Sequence, residues 1–181
     1  MKQAAFVFAV GIVFLFSLAD NLCGSTVPPS LPTPTLSPTP LSLCPADAVS
    51  DAPTDLFSAI NAERTARGLP ALAWDADVAS VAQERSDDMA ALGYFSHTSP
   101  TGETAFSLMD ARGIPYGWAG ENLARNNYPA DQQVAVAIQD LMASAPHCDN
   151  LLSANYTYLG VGVAQDGAGM VYYTMIFIGP P

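Results

Sequence analysis

Basic residues are scarce in this chain. Its 181 residues hold one lysine, five arginines and two histidines against seventeen acids, for a formal net charge of −11. No run of lysine or arginine offsets that charge. A surface so acidic repels polyanions, which argues against nucleic acid or anionic membrane as a partner. Catalytic signatures are scarce as well: there is no G-x-S-x-G nucleophile elbow and no short helical zinc signature of the H-E-x-x-H type. Cysteine occurs only three times, and the longest apolar run stops short of the roughly 20 residues that span a bilayer comfortably.

That run lies at the N-terminus. Lys2 precedes an unbroken apolar stretch from Ala4 to Leu18, and Ser17-Leu18-Ala19 supplies a small-x-small cleavage site. The pattern predicts a secretory signal peptide over residues 1–19, with an uncleaved anchor as the rival reading. Removing it takes away the only lysine and leaves five arginines facing all seventeen acids, a formal charge near −12. The acids are scattered, which indicates the solvated surface of a globular domain rather than an acidic tail.

Residues 20–49 read as a Pro/Thr/Ser-rich stalk. Ser25 to Pro45 (STVPPSLPTPTLSPTPLSLCP) has no apolar period and cannot bury enough surface to fold. At about 3.1 Å per residue in polyproline II, its roughly 20 residues reach about 60 Å. Its threonines and serines are plausible acceptors for O-glycosylation. The export signal makes the cysteines candidates for a disulfide. Cys44 stands where the stalk gives way to the domain and Cys148 adjoins His147, so these two are expected to pair. Cys23 is left over, either as a lipidated residue, which would tie the chain to a membrane, or as a free or intermolecular thiol.

The folded domain is expected over residues 50–181. Thr54 or Asp51 caps a first helix with Leu56, Phe57, Ala59 and Ile60 on one face, stopped by Arg67-Gly68. Val78, Val81, Ala82, Arg85, Met89 and Leu92 form the stripe of a second, ended by Gly93, with Gln83, Glu84, Asp87 and Asp88 on a solvated face. A short helix follows from Thr104 to Arg112, a fourth from about Ala130 to Ser144, and one further turn at Asn150 to Leu152. The period then changes to two. Tyr158 to Val163 and Met170 to Phe177 form a hairpin about Asp166-Gly167-Ala168-Gly169. Helices followed by a terminal hairpin imply an α+β fold. A lone hairpin is only marginally stable, so Glu121 to Ala124 or Leu72 to Trp74 is expected to pair with it.

Both histidines lie in Ser- and Pro-punctuated stretches, His97 in YFSHTSP and His147 in SAPHCDNLL, and Glu121 sits in a Gly-Glu-Asn tripeptide between them. Loops on a rigid scaffold are where binding groups concentrate. His97, Glu121 and His147 are therefore the candidate site, with Ser99, Asn122 and Trp118 as further ligand-binding candidates. Two neutral imidazoles and a carboxylate suit zinc or another divalent cation with an open fourth position. Tyr94, Phe95, Tyr116 and Trp118 flank the site, with Phe95 expected in the core.

Asn61-x-x-Arg64, Ser86-x-Asp88-Met89, Phe95-Ser96-His97-Thr98-Ser99-Pro100, Gly120-Glu121-Asn122, Ser144-x-x-His147-x-x-Asn150-Leu151-Leu152 and Gly160-Val161-Gly162 stand in that order between Asp55 and Gly179. Together they resemble a bacterial secreted member of the CAP superfamily, named for cysteine-rich secretory proteins, antigen 5 and pathogenesis-related proteins. The resemblance implies a three-layer α-β-α sandwich of CAP type with an open cleft where two histidines and two acids meet. His97, Glu121 and His147 match three of those positions. The fourth, a glutamate in many eukaryotic members, falls near Ser144, where this chain, like many bacterial members, has no acid. Leu141 stands at a usual tryptophan position and Met175 at a usual glutamine, so the cleft is expected to be more apolar than the family norm.

The resemblance implies a secreted or cell-surface binding scaffold for a small apolar ligand or a cell-envelope component, with or without a metal. A hydrolase using His97, Glu121 and His147, with Ser96, Ser99 or Ser144 as nucleophile, is the alternative. A structural or interaction domain without catalysis, whose polar cluster merely ties loops together, is the second.

Overall fold

The computed structural model describes residues 51–181. The expected signal peptide and stalk, with Cys23 and Cys44, lie outside the described residues. Nine elements follow in order: α1 (Ala52–Ala66), β1 (Ala73–Trp74), α2 (Ala76–Leu92), α3 (Ala105–Ala111), β2 (Trp118–Asn126), α4 (Ala130–Ala143), α5 (Ala145–Leu152), β3 (Tyr158–Gln165) and β4 (Val171–Gly179). Among the described residues no helix is long and apolar enough to cross a membrane.

The strands form one sheet in the order β1-β3-β4-β2. Both segments proposed as partners of the terminal hairpin join it. β2 pairs antiparallel with β4 and β1 pairs parallel with β3. The hairpin turns where expected, with Asp166 Oδ1 accepting from the amides of Ala168 and Met170. Alternation along β4 sends Val171, Tyr173, Met175 and Phe177 into one core and Ile176 and Ile178 into another. The first core also holds Leu56 and Ile60 of α1, Leu141 of α4 and Leu151 of α5. The second holds Val78, Val81 and Ala82 of α2 with Met109 of α3. Helices therefore cover both faces of the sheet, giving the α-β-α sandwich.

Two glycines set the spacing of one layer. A Cβ on Gly160 would lie 2.3 Å from the Ala79 amide nitrogen, and one on Gly162 would lie 2.2 Å from the Ala82 carbonyl carbon. No side chain fits there, so α2 rests directly on the β3 backbone.

The expected helix boundaries are met within a residue or two except at α5. The single turn foreseen at Asn150 to Leu152 is an eight-residue helix that begins after Ser144 and includes His147. Pro146 accounts for the difference: a ring that cannot continue α4 is well tolerated in the first turn of a new helix, where its missing N–H would be unpaired anyway. His147 thus sits on a helix rather than in a loop. The polar face of α2 also differs from expectation. Gln83 exchanges two hydrogen bonds with the Val163 backbone, and Asp88 accepts from Tyr94.

Candidate functional site

Among the described residues β2 has a strand neighbour on one side only, so residues from both sheet faces can meet at its other edge. Leu123 packs with Met89 of α2, while Ala124 packs against the core that includes α4 and α5. By alternation Glu121 shares the face of Leu123, and Asn122 shares that of Ala124. His97 approaches from the loop after α2 and His147 from the first turns of α5.

Glu121 is buried, and its Oε2 lies 2.5 Å from His97 Nδ1. The histidine is 59% exposed and the carboxylate 3%, so the acid is fixed and the ring projects into solvent. The other carboxylate oxygen faces Arg85 Nε at 3.8 Å, beyond hydrogen-bond reach, and both atoms are buried without another partner. Arg85 Nη1 and Nη2 donate to Tyr94 Oη at 2.7 Å and to the Ser96 carbonyl at 2.8 Å, and Tyr94 Oη donates to Asp88 at 2.6 Å. A polar chain thus runs from Asp88 through Tyr94, Arg85 and Glu121 to His97. Burial raises the Glu121 pKa, against the His97 hydrogen bond and the charges of His97 and Arg85. Burial and the Asp88 hydrogen bond push Tyr94 up to about 12, so it stays a neutral phenol.

His147 is anchored differently. Its Nδ1 lies 2.7 Å from Ser144 Oγ, and its carbonyl accepts from Asn122 Nδ2 at 2.9 Å. Asn122 Oδ1 accepts in turn from Asn150 at 2.9 Å, which ties β2 to α5. Burial, then the charge of His97, lowers the His147 pKa. The ring is therefore neutral at pH 7, and the two imidazoles are near enough to sense each other.

The structure brings His97, Glu121 and His147 to one edge, but the three-ligand metal set is not formed. Glu121 directs one oxygen to His97 and the other toward Arg85, and among the described residues no group of three His, Cys, Asp or Glu side chains is placed to hold a metal ion. The two imidazoles remain as donors. Asn122 is fully buried and spends its amide on α5 rather than on a ligand. Ser99 is buried too and closes its own loop, bonding Thr101 Oγ1 and the Glu103 amide. Trp118 is 55% exposed at the far end of β2, opposite Gly179. Tyr116 donates to Asp110 and packs beside α3.

A cavity of about 210 Å³ opens beside His147, between β2 and α4. Phe95, Leu123, Leu141 and Ser144 line it, with Arg125 and Asp140 also on its wall. Phe95, expected in the core, is 40% exposed here, its ring tilted on Tyr172 and covered by Arg125. Leu141 lines the cavity, whereas Met175 is fully buried in the core. Two larger hollows, of about 550 and 610 Å³, contain neither histidine. Arg85 is the site residue missed in the sequence. Its signal was a cation in the otherwise apolar stripe of α2.

The model of the CAP family, described as the cysteine-rich secretory protein family, matches residues 57–177. The chain is 36% identical over 119 residues to the Bacillus subtilis protein YkwD, covering 66% of this chain and 44% of that one. It is 35% identical to a Bacillus anthracis extracellular protein containing an SCP domain, with a TM-score of 0.62 over 71% of this chain and 40% of the other. The chain thus spans less than half the length of these two relatives. An outer surface protein of Borrelia burgdorferi shares the fold, with a TM-score of 0.65 at 17% identity over 73% of this chain and 95% of its own.

Proposed function

The chain belongs to the CAP, or cysteine-rich secretory protein, family, and we propose that it acts as an exported binding module rather than an enzyme. Its cleft at the edge of β2 away from β4 takes a small apolar ligand or cell-envelope component, and a divalent cation such as zinc is held between His97 and His147. The observation that carries this reading is that both imidazoles are anchored through Nδ1, by Glu121 and by Ser144. With the proton on Nδ1 and donated to these partners, Nε2 is oriented and made more basic, the arrangement usual for metal-bound histidine. Nε2 of each ring is then the nitrogen left for a ligand. Export and a surface location are supported by the apolar N-terminal run and by one relative described as extracellular.

The hydrolytic reading has one contact in its favour, the 2.7 Å approach of Ser144 Oγ to His147 Nδ1. A serine, histidine and acid relay needs the acid and the hydroxyl on the same ring. Here the acid holds His97 and the hydroxyl holds His147, so Ser144 and Glu121 do not share one relay.

Titration of Zn²⁺ into the metal-stripped exported chain, beside His97→Ala and His147→Ala, tests the proposal. Binding lost in both variants supports a two-histidine cation site. No binding in the parent protein, with melting temperature lowered in both variants, favours a purely structural polar cluster.

A further inference from the structure

Lys2 lies outside the described residues, so the permanent side-chain cations of the domain are its five arginines. Four are engaged. Arg64 donates to the carbonyls of Pro70, Leu151 and Ser153, and Arg67 pairs with Glu63. Arg85 donates to Tyr94 and the Ser96 carbonyl, and Arg112 pairs with Glu84 and Ser80. Arg125 alone of the five has, among the described residues, neither an ion pair nor a side-chain hydrogen bond. Its guanidinium lies 4.9 Å from the Phe95 ring centroid, on the wall of the cavity beside His147. Arg64 also lacks a carboxylate but spends its head on three carbonyls, so Arg125 is the arginine whose N–H edge is left unspent. Stacking on Phe95 holds the planar head in place and leaves its N–H edge for a partner.

We propose that Arg125 is the anion anchor of this cavity, and that the cavity takes the carboxylate end of a small apolar molecule. This deepens the binding reading above and rests on it. The planar guanidinium fork matches a carboxylate bidentately. Leu123, Leu141 and Phe95 supply an apolar wall for the rest of the ligand. Asp140 stands on the same wall, exposed and not paired with Arg125, and it disfavours a second negative charge. The ligand is therefore a monoanion rather than a phosphate or a dicarboxylate. A volume of about 210 Å³ is below the range of drug-sized sites and holds about seven waters' worth of ligand. That suits the terminal residues of a peptide or a short alkanoic acid, which share this chemistry.

The test is calorimetric titration of the full exported chain with octanoate, with acetyl-alanyl-alanine and with the amide of that dipeptide, repeated on Arg125→Gln. At least one carboxylate is expected to bind, with Arg125→Gln weakening it about tenfold or more, as loss of a hydrogen bond to a charged group does. Octanoate alone binding would identify an alkanoic acid, and the dipeptide binding more than tenfold tighter than its amide would identify a peptide terminus. Binding of neither carboxylate, or equal affinity in Arg125→Gln, would overturn the assignment. Arg125 is exposed, so an unchanged melting temperature is the control for folding. Zinc binding in a chain that ignores both carboxylates would overturn this inference alone. Carboxylate binding without zinc binding would keep it and remove the cation.

Discussion

Ser144 Oγ lies 2.7 Å from Nδ1 of His147, on the same ring nitrogen through which Glu121 holds His97. One histidine is oriented by a buried carboxylate and its neighbour by a neutral hydroxyl. The Ser144 hydroxyl occupies Nδ1 of His147, which leaves Nε2 as the nitrogen proposed for the cation. Ser144→Ala should leave the fold intact and weaken zinc about tenfold, within the range for losing an outer hydrogen bond to a metal-bound histidine. Calorimetry on the variant reads this directly. An affinity equal to that of the parent protein would show that helix packing alone orients the ring.

His147 also sets a pH dependence. Its pKa is lowered, first by burial and then by His97, so below its ordinary value of 6.5 the unfolded chain binds a proton that the folded chain does not. Stability is complete above about 6.5 and falls as pH drops from there toward the depressed native value. His147→Gln should remove this component. Melting curves of both proteins from pH 8 to pH 5 should converge toward acid, the variant losing less than the parent.

Arg85 carries a larger share of stability. It is 2% exposed on its side chain and holds Tyr94, the Ser96 carbonyl and, more loosely, Glu121. Arg85→Met would leave the Glu121 carboxylate buried with only the His97 ring beside it. Removing one partner of a buried pair costs about 3–5 kcal/mol. Urea denaturation should show a loss of that order. Combining the change with Glu121→Gln should recover part of it, because the uncompensated charge is then gone.

The helices and the terminal hairpin were legible because their signals are local. Apolar spacing marks α2, Gly93 ends it, and the alternation of β3 and β4 is uninterrupted. His97 and Glu121 were legible as a pair through the resemblance, and the structure joins them directly. What could not be read was how polar groups are spent. Asn122 and Ser99 have the chemistry of ligand contacts, yet both are buried and bonded within the fold, a matter of tertiary neighbours 25 residues away or of one tight loop. Arg85 occupies a core position that its residue type argues against, and only Tyr94, Ser96 and Glu121 explain it. Pro146 reads as a helix stop, whereas the same ring can open the next helix.

The expected disulfide between Cys44 and Cys148 yields a further prediction. Cys148 is completely buried against the core under α5, one residue after His147, and Cys44 lies outside the described residues. Closing a loop of about 100 residues stabilises by about 4.7 kcal/mol in the chain-entropy account. Cys44→Ser and Cys148→Ser should each lower the denaturation midpoint substantially, and the double variant should lower it no further than either single change. Additive losses would instead assign Cys148 a role in packing alone. Non-reducing peptide mapping of the exported chain should recover the two cysteines in one linked fragment.

Gly162 offers the most stringent test of the architecture, because its demand is geometric. It lies in the middle of β3, where a glycine ordinarily weakens a strand and alanine would be expected to strengthen it. Here a Cβ would meet the Ala82 carbonyl carbon at 2.2 Å and the Gln83 amide nitrogen at the same distance. Both are backbone atoms in the middle of a helix, so neither can swing aside as a side chain would. α2 must lift from the sheet, and the Ser86 contacts with the Gly162 carbonyl at 3.0 Å and Thr174 at 2.9 Å would stretch with it. The same displacement would move Arg85 and loosen its hold on Tyr94, the Ser96 carbonyl and Glu121. Gly162→Ala should therefore destabilise by about 1–3 kcal/mol or more, the cost of overpacking a close-packed contact. It should also weaken zinc at the remote histidine pair. A stabilised variant would mean that the helix does not rest on the strand as closely as described.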